Sequence, residues 1–296
     1  MQNFVNTLIL GLTLGGIYAL TAVGFTMVYG VARIVNFAHG SLYMLGAMLT
    51  WAMISAGLPY FPALAAAALL IGLGSVPVLR FSVGRVLRSG AEVGLLGTFG
   101  VALILDQTAF LIFGGAPKSV QGTFDFLIEV GPIRTTGQRL AVLVLAVVVI
   151  TAVAVAVHRT NWGRQQRAVM QDPDLARVSG VDPRWVRAST FLVSGALAAL
   201  AGGLIGPLFA ISTTIAVAAL LKAFIVTVIA GVGNINGAVL AAMGIALAEV
   251  FGSAYISTGY RDAYAYIIVL AALAVRARRP RDGRTRRRAL TPEVAK

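Results

Sequence analysis

From Phe4 to about Tyr29 the chain carries no charged residue, a run longer than the roughly 20 apolar residues a helix needs to cross a bilayer. A soluble domain has no place for such a segment, and eight more apolar stretches follow it. They lie at about 41–57, 61–79, 91–113, 139–157, 188–211, 216–232, 237–255 and 262–276. Only 12% of the 296 residues are charged, about half the share of an ordinary soluble domain. The surface must therefore face lipid. Long Ala, Leu, Val and Gly runs take the place of the period-two alternation that marks a membrane β-barrel. The expected fold class is all-α: a polytopic transmembrane helical bundle of about eight spans, some of them broken.

The first run is preceded only by Met1-Gln2-Asn3, without Lys or Arg. A secretory signal needs a positive n-region and a short apolar core, so this run reads as a retained first span. The net charge of +13 is concentrated beside the apolar segments. Eight arginines fall between Arg276 and Arg288, six between Arg159 and Arg187, and Arg80, Arg85 and Arg88 form a turn. Basic clusters at span ends mark the cytoplasmic side. The stretch 114–138, with Lys118, Asp125, Glu129 and Arg134, is nearly balanced and belongs outside. This divides the chain into a transmembrane domain, 1–276, with a cytoplasmic loop at about 158–187, and a basic, disordered cytoplasmic tail, 277–296. Counting back puts the N-terminus outside; if the polar break at 30–40 only dips into the bilayer, the count is seven and the N-terminus lies inside. The position of the arginines favours topology and anionic lipid over nucleic acid as their partner.

That break contains Arg33, Asn36, His39 and Gly40 between two apolar runs. Irregular chain at membrane depth is tolerated only against protein or a water-filled cavity, and broken helices of this kind face polar substrates in several transporter folds. An ordinary cytoplasmic turn, with Asn36 capping a helix and Arg33 meeting lipid phosphates, fits equally well. A second flexible break spans Gly231 to Gly237 and holds Asn234 and Asn236. The chain has two histidines, His39 and His158, and no cysteine, so no metal site is expected.

In the basic loop, Asp172-Pro173 is a helix N-cap followed by proline at the first position. The short helix runs through Asp174, Ala176 and Ser179 and stops at Gly180, and Asp182-Pro183 starts the next. Such a helix either rests on anionic lipid or is a peg for another protein's groove. Asp106, Lys222 and Glu249 are ionisable residues inside apolar segments. At about 2.5–3.5 kcal/mol for a carboxylate at mid-bilayer, Asp106 must face protein or water. Lys222 is expected near the outer end of its span, snorkelling outward, and Glu249 has Lys222 or Asn236 as possible partners. No Gly-x-x-x-x-Gly-Lys-[Ser/Thr] phosphate loop, Gly-x-Ser-x-Gly elbow or His-Glu-x-x-His helix occurs, so no catalytic residue is assigned.

Asp174-Leu175-Ala176 with Gly180 resembles, in degenerate form, the EAA…G signature by which ABC-transporter permeases dock their ATPases. Gly11–Leu20, Asn36-Phe37-Ala38-His39-Gly40, Leu221-Lys222-Ala223-Phe224 and Gly231–Ala238 are similar to branched-chain amino acid permeases of the LivH type, over nearly the whole length. Asp174 and Leu175 replace the usual Glu and Ala, Asn236 stands where proline is common, and Asp106 stands where an apolar residue is usual. The resemblance implies a permease subunit of an importer in a bacterial inner membrane, not an enzyme, with no cofactor of its own. Its implied partners are a second permease subunit, identical or homologous, two cytoplasmic ATPase subunits that hydrolyse the ATP, and an external substrate-binding protein. Asn36, His39, Gly40, Asn234 and Asn236 would line the substrate path, and Asp174, Ala176 and Gly180 would couple to the ATPase. The same family carries urea or short amides as an alternative. Two other classes compete: an ion-coupled secondary transporter working through Asp106, Lys222 and Glu249, and a structural protein anchored by its arginine tail.

Overall fold

The computed structural model describes residues 2–78, 91–124, 126–130 and 133–278. The arginine turn at 80–88, Asp125 and the tail from residue 279 lie outside the described residues. Four helices come first: α1 (Gln2–Ala32), α2 (Ala38–Ser55), α3 (Tyr60–Val78) and α4 (Ala91–Phe113). A hairpin of β1 (Leu127–Val130) and β2 (Ile133–Thr136) follows, in the stretch expected to be loop, with Leu127 opposite Thr136. Then come α5 (Gly137–Arg159), α6 (Asn161–Gln171), α7 (Pro173–Val178), α8 (Pro183–Ile205), α9 (Ile215–Ala230), α10 (Ile235–Tyr255) and α11 (Arg261–Arg278).

All nine apolar segments are helical, so the all-α membrane bundle is the observed fold. Six of the helices, α1, α3, α4, α5, α8 and α10, are long and apolar enough to cross a bilayer. The 16 residues of α9 reach about 24 Å at 1.5 Å each, short of the roughly 30 Å of hydrocarbon, so α9 crosses only part of it.

Helix α1 is the centre, packed against α5, α8, α9 and α10. Lipid is as apolar as leucine, so helices associate where small residues let backbones approach. On α2 and α8, Gly46 abuts Ala199 and Gly202 abuts the Tyr43 carbonyl, leaving no room for a β-carbon at either glycine. The outer helices turn apolar side chains away from the core: Leu111 and Ile112 on α4 and Val144 and Val148 on α5 are exposed.

Contacts between helices fix their directions. Gly11 meets Leu247 and Gly15 meets Met243, so α1 and α10 are antiparallel. The Gly233 amide donates to Thr26 Oγ1 (2.9 Å), and Met170 packs against both Gly30 and Gly233. The end of α1, the α9–α10 turn and α6 therefore share one end of the bundle, and the start of α1 lies at the other. Tyr264 packs on Gly252, and Ile267 and Ile268 share a groove with Ala248. Helix α11 thus returns toward the end that holds the basic loop.

Between α1 and α2 the chain doubles back. Arg33 takes a left-handed conformation (φ 56°), and by His39 the chain is beside Thr21. Thr21 lies eleven residues before Ala32, about 16 Å up the helix. Helix α2 therefore begins inside the bundle, and residues 34–37 are irregular chain leading inward from the exposed Arg33. Several polar groups there are paired within the protein, as a lipid environment favours. The Phe37 amide donates to Thr98 Oγ1 (3.2 Å), and the Ala38 amide donates to Asn36 Oδ1 (3.2 Å).

Candidate transport site

A cavity of about 210 Å³ lies between α1, α2, α9 and the segment after α8. Ile205, Phe209, Ile211 and Ile215 supply apolar wall, and Tyr18, Thr21, Tyr43 and Lys222 supply its polar side chains. The Lys222 ammonium donates to Tyr18 Oη (2.8 Å) and to Glu249 Oε1 (3.0 Å). Tyr18 Oη in turn lies 3.1 and 3.0 Å from the two Glu249 oxygens. The Glu249 side chain is 0% exposed and that of Lys222 12%, so three helices share one buried charge pair. Lys222 does not snorkel to an interface, and Glu249 pairs with it rather than with Asn236. Tyr18 and Glu249 sit on antiparallel helices, and helical side chains lean toward their own N-termini. The two lean toward one another and close on Lys222.

The sequence-derived path residues fall into two groups. Asn36, His39 and Gly40 come together at the buried break. His39 Nε2 lies 3.0 Å from the Thr21 carbonyl, which can only accept, so the proton is on Nε2. Nδ1 then accepts from Ser194 Oγ at 3.4 Å, and the ring ties α2 to α1 and α8. Gly40 abuts the Ala216 carbonyl of α9. Asn234 and Asn236 are exposed at the other break. Asn234 caps α10, its Oδ1 accepting from the Gly237 amide (2.9 Å), and Asn236 shares an outer groove with His158 and Arg159. None of these five residues lines the cavity. Asp106, half-buried on α4, keeps one carboxylate oxygen buried without a hydrogen-bond partner among the described residues.

The basic loop forms a platform at one end of the bundle. Asp172 Oδ1 accepts from the amides of Asp174 (2.8 Å) and Leu175 (3.0 Å), and Asp182 Oδ1 accepts from Arg184 (2.9 Å), both as the capping pattern predicts. Gly180, at φ 82°, ends the short helix. Ala176 is buried with Val31, Val169 and Val186, whereas Asp174 and Gly180 face solvent. On the other side of α7, Leu175 and Val178 are 67% and 87% exposed. Sequence reasoning missed that outward apolar pair, although two apolar residues three apart on a short helix share a face. It also missed α6, whose Trp162 and Gln166 bond Ser189 (2.8 Å) and Thr190 (2.7 Å) of α8. Tyr18 and Tyr43 went unnoticed because a tyrosine in an apolar run carries no local sign of its partners. Among the described residues, no group of three or more His, Cys, Asp or Glu could hold a metal ion.

The sequence matches the family described as "Branched-chain amino acid transport system / permease component" over residues 7–275. It is 29% identical over 287 residues to the high-affinity branched-chain amino acid transport system permease protein LivH of Salmonella typhimurium, covering 92% of this chain and 93% of that one. LivH of Escherichia coli aligns equally well. BraD of Pseudomonas aeruginosa, a permease protein of the same description, is 29% identical over 291 residues, 93% of this chain and 95% of its own. No solved structure matches the chain. With a family match that runs from α1 into α11 and relatives that align almost from end to end, the chain belongs to the branched-chain amino acid transport permease components.

Proposed function

We propose that this chain is the membrane-spanning permease subunit of an ABC importer that carries branched-chain amino acids. Separate ATPase subunits power it, and an external binding protein delivers the substrate. The observation that carries this reading is the α6–α7 platform. Ala176 anchors α7 to the bundle while Leu175 and Val178 are turned outward beside Arg177, which suits an apolar socket on another protein better than a hydrated surface. The arginine pattern supports a cytoplasmic platform and C-terminus, where ATP is available, with the N-terminus outside. In this reading two permease subunits, identical or homologous, stand over two ATPases. ATP-driven closure of the ATPases presses on α7, and the push passes through α6 to the break at Arg33–Gly40 and the cavity beyond it. The loaded binding protein and ATP must favour different states of the bundle, since binding shifts an equilibrium only through differential affinity.

Copurification from a tagged chain, followed by uptake assays in proteoliposomes with leucine, isoleucine, valine and urea, tests the proposal. An ATPase subunit in stoichiometric amount and ATP-dependent uptake of the branched-chain amino acids are expected. Uptake of urea alone would reassign the substrate, and gradient-driven transport by the isolated chain would replace the ABC reading with an ion-coupled one.

A further inference from the structure

The cavity offers a chemistry more specific than a polar hole. Lys222 and Tyr18 line it, whereas Glu249 does not: its carboxylate is fully buried behind them, 3.0 Å from the ammonium. One face of the site is thus cationic and hydroxylic. Most of the remaining wall is apolar, Ile205, Phe209, Ile211 and Ile215 with several alanines, and Thr21 and Tyr43 lie among them. We infer that Lys222 is the contact for the carboxylate of an α-amino acid in this cavity, with Glu249 as the positioning residue that holds the ammonium against Tyr18.

Charge balance narrows the ligand class. A lone carboxylate would add a net negative charge to a low-dielectric bundle, whereas a zwitterion adds none. Its own ammonium can rest on the tyrosine rings of the wall, which attract cations by their faces; Lys222 Nζ already lies 4.8 Å from the Tyr18 ring centre. A branched aliphatic side chain suits the isoleucine wall, and a polar one would leave hydrogen-bonding groups unsatisfied there. The ligand class is a zwitterionic amino acid with a small aliphatic side chain. This inference rests on the import reading and names the site for it. A pair that served only to join α9 to α10 would have no need of the cavity.

The test uses the whole importer in proteoliposomes, with its ATPases and binding protein, and radiolabelled leucine. The double variant Lys222→Met, Glu249→Gln removes both charges at nearly constant volume, an exchange that buried pairs tolerate in folding. It is expected to assemble in normal yield and to import leucine at least about tenfold more slowly, since a charged hydrogen bond to the substrate is lost. Lys222→Arg, which keeps the cation on a different head group, should import leucine faster than the double variant does. Wild-type uptake by the double variant would overturn the inference and leave the import reading intact. A wild-type importer that moves no leucine would sink the import reading itself. Should the neutral pair fail to assemble, the exchange Lys222→Glu, Glu249→Lys decides, because it keeps the pair but moves the cation behind the wall. Unchanged uptake in that variant also overturns the assignment.

Discussion

The guanidinium of Arg33 donates to the main-chain carbonyls of Met170 and Gln171, each at 3.0 Å. Those carbonyls belong to the last turn of α6, where no helical amide remains to donate to them, and the negative end of the helix dipole favours a cation. Arg33 is also the residue at which α1 stops, in a left-handed conformation that costs about 1–2 kcal/mol. One side chain therefore joins the platform to the break that leads into α2. Met170 adds a packing contact at the same place, filling the space beside Gly30 and Gly233.

Replacing Arg33 by Ala removes the link and keeps the backbone strain. Subunits should still copurify, while ATP hydrolysed per leucine imported should rise severalfold in proteoliposomes. An unchanged ratio would show that the contact transmits nothing.

Gly180 takes φ 82°, which a β-branched residue reaches only at a cost of about 1–3 kcal/mol. Gly180→Val should displace the end of α7 and lower the coupled ATPase and uptake rates, whereas Gly180→Asn, tolerant of this conformation, should behave nearly as wild type. Full substrate-stimulated transport by the Val variant would count against the docking role of α7.

Leu175 and Val178 make few contacts with the bundle, so polar replacements there should spare the fold. In Leu175→Ser, Val178→Ser the thermal unfolding of the chain alone should hardly move, but recovery of the ATPase in a pull-down should fall about tenfold, since hot spots of this kind contribute more than 1 kcal/mol each. Equal recovery would place the ATPase contact elsewhere.

Gly202 lies where α8 crosses the Tyr43 carbonyl, and a β-carbon there would collide with that oxygen. Gly202→Ala should destabilise the bundle by about 1–3 kcal/mol through forced separation of α2 and α8, read as a lower unfolding temperature in detergent. Gly244 has nothing within 4 Å of the same added atom, and Gly244→Ala should be neutral or slightly stabilising through helix propensity. Similar losses in both variants would mean that close approach is not what holds these helices together.

The helices themselves were legible because hydropathy is local: each apolar run reports the solvent around it, whatever its neighbours are. The Asp172-Pro173 and Asp182-Pro183 starts were equally plain, since a cap and its amides lie within three residues of each other. The break at Asn36–Gly40 was visible as an interruption, but its depth was not. That depth follows from His39 reaching Thr21, and nothing near His39 in the chain announces it.

The residues of the cavity show where local reading stops. Tyr18 and Glu249 are 231 positions apart and meet because α1 and α10 run antiparallel with Lys222 of α9 between them. By itself, the sequence determined an all-helical membrane protein, the basic end of its bundle and a capped helix on that end. The tertiary structure alone decided which ionisable groups pair, which face of α7 is outward, and where a cavity opens. The physical reason is that an apolar side chain is equally at home against lipid or another helix. Partner choice then falls to close contacts between small residues and to a few polar groups that must find one another.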